Sequence, residues 1–192
     1  MKIILASSSP YRAKLMEQLN IPFTQKNPTV DEEELKKKAA VSIPDLPLYL
    51  ARQKAESLIT PNASEITIGC DQMGLLKGQP LGKAGSQDKA IEQLKKMQGK
   101  THQLVTSIAV HCGGKWELHT DITQMKMKPL TDEQIKKYVD LDDPVNSAGS
   151  YKIESLGLAL FEDIETKDHT AIVGLPMMAL CRILGKFGYE VI

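Results

Sequence analysis

Ser7-Ser8-Ser9-Pro10-Tyr11-Arg12 gathers three serine hydroxyls, a proline and a guanidinium one residue after the apolar run Ile3-Ile4-Leu5. The apolar run predicts a buried strand, and the spacing of Leu15, Met16 and Leu19 predicts a helix. Ser9 suits the N-cap, and Pro10 suits the first turn, where a missing N–H costs nothing. A strand thus delivers the chain to a helix N-terminus where free N–H groups, the helix dipole and Arg12 converge, a combination that favours a phosphate. An ordinary capped helix uses the same residues, so this stretch alone leaves both uses open. The second chemical group is Asp71. It follows Ile66-Thr67-Ile68-Gly69-Cys70, which predicts a short buried strand with Asp71-Gln72 at its C-terminal end. Ligands of open α/β sheets collect at that end of the strands, so a carboxylate there can meet one.

The elements that would position these groups follow in order. Ile21-Pro22-Phe23 leads into an extended segment, and Asp31-Glu32-Glu33-Glu34 before Lys36-Lys37-Lys38 reads as a solvated helix, acids first and bases last, as the dipole prefers. Residues 45–59 predict a helix with Leu48, Ala51, Ala55 and Leu58 on one face, Arg52 and Lys54 off it, and Pro61-Asn62 as its stop. Residues 78–85 read as a loop containing Lys83. Ser86 caps a helix with Ala90, Ile91, Leu94 and Met97 inward and Gly99 at its end.

The clearest hairpin runs out along Leu104, Thr106, Ile108 and Val110. It turns at Gly113-Gly114 and returns along Trp116, Leu118, Thr120 and Ile122. The apolar phase then shifts to Met125 and Met127, which predicts a bulge past Thr123. Thr131 starts a helix ending near Val139, and residues 141–156 are irregular. Leu158-Ala159-Leu160-Phe161 predicts a strand, and Val173-Gly174-Leu175-Pro176 opens a deeply buried C-terminal helix. Strands mixed with helices around a long hairpin give an α/β class with a mixed sheet.

The totals narrow the function. Lys and Arg number 24, as do Asp and Glu, so no overall basic field points to nucleic acid, and positive charge for an anionic ligand must be gathered locally. Without a signal-type leader or an apolar run long enough to span a bilayer, the expectation is a cytoplasmic protein free of membranes. Cys70, Cys112 and Cys181 are far apart and odd in number, which argues against a disulfide framework and a zinc site.

Several separated blocks resemble one family in its own order. Ala6-Ser7-Ser8-Ser9-Pro10-Tyr11-Arg12 is similar to the Ser-x-Ser-Pro-Arg-Arg opening of the Maf-like nucleotide pyrophosphatases. Val30-Asp31-Glu32, Ala51-Arg52-Gln53-Lys54-Ala55, Gly69-Cys70-Asp71-Gln72, Leu81-Gly82-Lys83, His102-Gln103-Leu104-Val105-Thr106, Ala148-Gly149-Ser150-Tyr151 and Val173-Gly174-Leu175-Pro176 follow. The resemblance covers essentially the whole chain. It implies one domain over residues 1–192, an elongated two-lobed α/β fold with a twisted mixed sheet and a central cleft. It also implies hydrolysis of a nucleoside triphosphate to monophosphate and pyrophosphate with a divalent cation, Mg2+ or Mn2+.

By the same resemblance Asp71 is the general base, and Ser8, Arg12, Lys54 and Lys83 hold the phosphates. Asp71 and Glu33 take the metal, with Asp31, Glu32 and Glu34 as competitors for Glu33's part. The chemistry is consistent: a triphosphate carries about four negative charges near neutral pH, so a cation-lined pocket must hold it and its leaving group. Tyr11, Gln72 and Glu154 stand at positions that separate branches of the family, and they resemble the 7-methyl-GTP branch. A carboxylate pairs with the cationic methylated guanine, and a tyrosine face attracts it. The alternatives are an enzyme of the same fold directed to dTTP, UTP or another modified nucleotide, and a nucleotide-binding regulator of septum formation without turnover. Ala84 stands where the family carries Pro, which frees the backbone beside Lys83. His102 is expected to tie a loop to the hairpin. Members often form homodimers, and the resemblance leaves that state open here.

Overall fold

Strand β1 (Ile3–Ala6) is fully buried, and in this computed structural model, which describes residues 1–60 and 64–192, it is the second strand in from one edge of a seven-stranded sheet. The Pro61-Asn62 stop lies outside the described residues. After β1 come α1 (Pro10–Glu17), β2 (Thr24–Lys26), α2 (Glu32–Lys38), α3 (Leu46–Glu56) and β3 (Ile66–Leu76). The chain continues through β4 (Gln79–Leu81), α4 (Gln87–Met97), β5 (Thr101–Cys112), β6 (Lys115–Met127), α5 (Asp132–Asp142), β7 (Phe161–Glu165), α6 (His169–Val173) and α7 (Met177–Lys186). The strand order is β2-β1-β3-β5-β6-β7, with β4 paired to β3. β1 runs parallel to β2 and β3, whereas β3–β4 and β6–β7 are antiparallel, so the sheet is mixed as expected.

The chain divides into two compact units. One holds Met1–Gln72, Thr106–Asp121 and Asp168–Ile192; the other holds Met73–Val105 and Ile122–Lys167. In the first, Ile3 and Leu5 of β1, Ile66 and Ile68 of β3, Ile108 and Val110 of β5, and Leu180 and Leu184 of α7 form a continuous apolar core. In the second, α4 packs on α5, and Leu94, Met97, Ile135 and Val139 are completely buried.

Several expectations need adjusting. β3 does not stop at Cys70 but continues to Leu76. Its parallel pairing does end early, because Ala6, the last residue of β1, faces Gly69. Asp71 therefore stands just beyond the parallel part of the sheet, although its own strand goes on. Residues 79–81 are strand rather than loop: Lys77 and Gly78 both adopt left-handed φ and turn the chain back on β3. The predicted strand at 158–161 is a 3-10 turn over Leu156–Leu160, and pairing with β6 starts only at Phe161.

In the hairpin, Gly113 and Gly114 have φ of 54° and 79°, the two positive values a primed turn demands. On β6 the buried side carries Asp121, Thr123, Met125 and Met127, whereas Leu118 and Ile122 are exposed. The alternation is unbroken through Thr123, and the register shift falls at Lys126/Met127 against β7. The C-terminal apolar stretch is buried except for Met178, which faces outward, and the short α6 precedes it.

One contact fixes α3 on the sheet. A Cβ built on Gly69 would lie 1.9 Å from the Ala51 carbonyl oxygen and 2.8 Å from the Ala55 nitrogen. Only a residue without a side chain lets the helix backbone come this close. The Gly69→Ala variant is expected to lose about 3 kcal/mol of stability through forced separation of α3 from β3, measured by urea unfolding. A midpoint equal to that of the unsubstituted protein would show that the contact has slack.

Candidate functional site

A strand presents alternate residues to opposite faces, so Gly69 and Asp71 look towards α3 while Cys70 and Gln72 look the other way. On the α3 side, the Ala51–Ala55 turn rests on Gly69 and places Lys54 over Asp71. The Lys54 ammonium Nζ lies 2.6 Å from Asp71 Oδ1 and 2.9 Å from Glu32 Oε1. Lys54 is only 5% exposed and Asp71 7%. Burial pushes the Asp71 carboxyl above the ordinary carboxylate range, and the charges of Lys54 and Arg12 pull against that.

Lys54 is thus not off the apolar stripe of its helix. The buried face runs Pro47, Leu50, Ala51, Lys54, Ala55, one position removed from the expected face through Leu48. A lysine is accommodated there because two carboxylates meet its charge.

On the other face of β3, Cys70 Sγ donates to the Gly174 carbonyl at 2.8 Å. That carbonyl also accepts from Arg12 Nε at 3.0 Å, while Arg12 Nη1 donates to the Cys70 carbonyl at 2.9 Å. The guanidinium is therefore fixed to the main chain next to Asp71. Ser9 caps α1 as expected, accepting from the Arg12 N–H, and Ser7 Oγ accepts from the Ser9 N–H at 3.1 Å. Gln25 Nε2 braces the turn through the Ser7 and Ser9 carbonyls. Ser8 and Tyr11 remain exposed at this turn.

Gln72 has a role that sequence reasoning did not reach. Its amide nitrogen is shared among Thr106 Oγ1, the Ala171 carbonyl and the Ile172 carbonyl, at 2.9, 2.9 and 3.1 Å. It holds the segment leading to Gly174. Asp168 secures the same segment, accepting from the Thr170 N–H with one oxygen and from the Met178 N–H with the other.

Of the acidic run, Asp31 caps α2 by accepting from the N–H groups of Glu33 and Glu34. Glu33, expected at the metal, instead pairs with Lys36 at 2.7 Å and is largely exposed. Glu32 is the carboxylate that α2 turns towards Lys54 and Asp71. The helix phase decides between neighbours that composition cannot tell apart.

Lys83 and Glu154 belong to the second unit. Lys83 forms a main-chain bridge with Ala148, and the Lys83 and Glu154 side chains are exposed. His102 ties the start of β5 to the 148–154 segment, its Nε2 lying 3.0 Å from the Tyr151 hydroxyl. Burial lowers its pKa to about 4, which keeps the imidazole neutral near pH 7. This is the structural part expected of it.

A metal at Asp71 is chemically reasonable on these residues. Asp71 and Glu32 offer two hard carboxylate donors at one partly buried point, with Lys54 and Arg12 as the cations beside them. Among the described residues no group of three or more His, Cys, Asp or Glu gathers, so a closed zinc-type cage is not formed. Mg2+ and Mn2+ need no such cage, since they take only one or two protein carboxylates and complete their shell with water and substrate phosphates. No helix among the described residues is long and apolar enough to cross a membrane.

Comparison with known proteins agrees with this geometry. The chain is 46% identical over 183 residues to a 7-methyl-GTP pyrophosphatase of Bdellovibrio bacteriovorus, covering 95% of each protein. It is 40% identical over 189 residues to a protein of the same name from Bordetella pertussis, covering 98% of this chain and 94% of that one. The structure of the Staphylococcus aureus Ham1 protein superposes with a TM-score of 0.50 at 13% identity, covering 97% of this chain and 100% of that one, a likeness of fold. The family described as Maf-like protein matches residues 2–187, and with the serine turn, Lys54 and Asp71 assembled at one place, the chain belongs to that family.

Proposed function

We propose that the protein hydrolyses 7-methyl-GTP to 7-methyl-GMP and pyrophosphate. The observation that carries this reading is the Lys54 ammonium seated between Asp71 and Glu32, beside an Arg12 fixed to the Cys70 and Gly174 carbonyls. Asp71 takes the proton of the water that attacks the α-phosphorus. Its raised proton affinity suits a base more than an ordinary surface carboxylate would. Arg12, Lys54, Ser8 and the N–H groups at the start of α1 bind phosphate oxygens, and Lys83 is assigned the same task. Glu32 and Asp71 would hold a Mg2+ or Mn2+ ion, which when bound neutralises charge on the phosphates and the departing pyrophosphate.

The nucleotide is read from Tyr11 and Glu154, supported by relatives that carry the name at 40–46% identity. The phenol ring offers an exposed face to a cationic base, and the Glu154 carboxylate offers charge and acceptors to its edge. Gln72, its amide nitrogen spent on backbone carbonyls, acts through the segment it holds.

A pyrophosphate-release screen across 7-methyl-GTP, GTP, dTTP and UTP tests the proposal. Turnover highest on the methylated nucleotide is expected, and an equal or higher rate on dTTP or UTP would replace it with the pyrimidine reading. In the Glu154→Gln variant the preference for 7-methyl-GTP over GTP should fall about tenfold, the worth of one charge-assisted contact. An unchanged ratio would remove Glu154 from base recognition.

A further inference from the structure

We propose that Gln93 is a positioning residue that fastens the Lys83 loop to the Gly149-Ser150 turn and so sets phosphate binding and base choice together. The proposal rests on the reading of Lys83 and Glu154 given above. It arises from the second unit alone.

Ala84 removes the φ restraint that proline supplies beside Lys83, yet the segment is held from three sides. Lys83 bridges Ala148, the Gly85 N–H donates to the Val145 carbonyl at 2.9 Å, and Gln93 Nε2 donates to the Gly82 carbonyl at 3.3 Å. The third tie comes from a side chain on α4, and the same amide has a second partner. Gln93 Oε1 accepts from Ser150 Oγ at 2.6 Å. One planar group thereby spans two segments about 70 residues apart in sequence, using its donor on one and its acceptor on the other.

The Ser150 end is held in an uncommon conformation. Gly149 and Ser150 have φ of 73° and 57° in succession, and Ser150 is completely buried. A non-glycine residue in this region carries a conformational cost and persists where its surroundings hold it. A Cβ on Gly149 would come within 2.7 Å of the Tyr151 ring, so the turn has no slack on that side. The chain leaves this turn through Tyr151, packed edge-on against Phe161, and reaches Glu154 three residues later. The bond from Ser150 to Gln93 therefore lies at the root of the segment carrying the base-selecting carboxylate, and the bond from Gln93 to Gly82 lies next to the phosphate-binding lysine.

The two halves of the amide can be removed separately. Gln93→Glu keeps an acceptor for Ser150 and loses the donor to Gly82. Ser150→Ala loses the bond to Gln93 and keeps the bond to Gly82. Gln93→Leu loses both. Rates on 7-methyl-GTP and GTP, with thermal midpoints, are measured for the unsubstituted protein and all three variants.

Gln93→Glu should raise KM about tenfold on both nucleotides and keep their ratio, the size of effect that a small misplacement of a binding group produces. Ser150→Ala should narrow the ratio with a smaller change in KM, and Gln93→Leu should do both. Losses that follow the thermal midpoint alike in all three variants, with no split between KM and preference, would overturn the proposal while leaving the catalytic reading intact. An unsubstituted protein that releases no pyrophosphate from any nucleotide would overturn both.

Discussion

Asp71→Asn is expected to lower pyrophosphate release about a thousandfold, within the range general-base catalysis contributes, while nucleotide still binds. The substitution preserves volume, and the amide oxygen can still accept from the Lys54 ammonium 2.6 Å away. What is lost is the capacity to take a proton. The pH profile supplies a second reading. Because burial raises the Asp71 carboxyl, its proton is held to a higher pH than on an ordinary aspartate. As pH falls, kcat/KM of the unsubstituted enzyme should therefore begin to drop earlier than a normal carboxylate would dictate. The residual activity of Asp71→Asn should show no such limb. Calorimetric titration with nucleotide alongside the rate assay separates binding from turnover. A variant turning over within tenfold of the parent would mean that water is activated elsewhere.

Lys54→Met should cost both stability and activity, and a second substitution should restore only the first. Methionine fills similar space without charge, leaving Asp71 buried without its ammonium. Breaking a buried pair on one side typically costs 3–5 kcal/mol. Here about 3 kcal/mol is expected, because the Glu32 side chain is 46% exposed and water takes over part of its solvation. Asp71 then holds its proton more firmly and no longer serves as a base, so kcat/KM should fall at least a hundredfold. Adding Asp71→Asn removes the uncompensated charge and should recover most of the stability with none of the rate. Urea unfolding and turnover on the two single variants and the double variant form the complete cycle. Additive losses of stability would show that the two groups are not coupled.

These variants bear on residues whose importance was legible to different degrees in the sequence. The serine turn is readable because Ser9, Pro10 and Arg12 act within a few residues of one another: the cap and the first turn follow from local chemistry. Periodicity places Lys54 on the solvent side, and nothing local reveals that Asp71 and Glu32 arrive from elsewhere to neutralise it. Within the acidic run, composition does not tell Glu33 from Glu32, and only the helix phase shows that Glu32 is the one turned to Lys54. Strand β4 is not legible in the sequence, because Lys77-Gly78 is not a strong turn pair and its three residues pair with the far end of β3, beyond the apolar run. The Ala148–Ser150 and Val173–Pro176 blocks were recognisable as motifs. Their bonds to Gln93 and to Arg12 were not, since those partners lie 57 and 162 residues away.

The missing side chain at Gly69 reaches beyond packing. With the main chain of α3 seated on the main chain of β3, and Asp71 two residues along the same face, the backbones that carry Lys54 and Asp71 are spaced by peptide geometry rather than by the rotamers of flanking apolar groups. Evolution can therefore exchange the bulky residues around this crossing, Leu50 or Ile68 among them, and alter melting behaviour while leaving the Asp71–Lys54 pair in place.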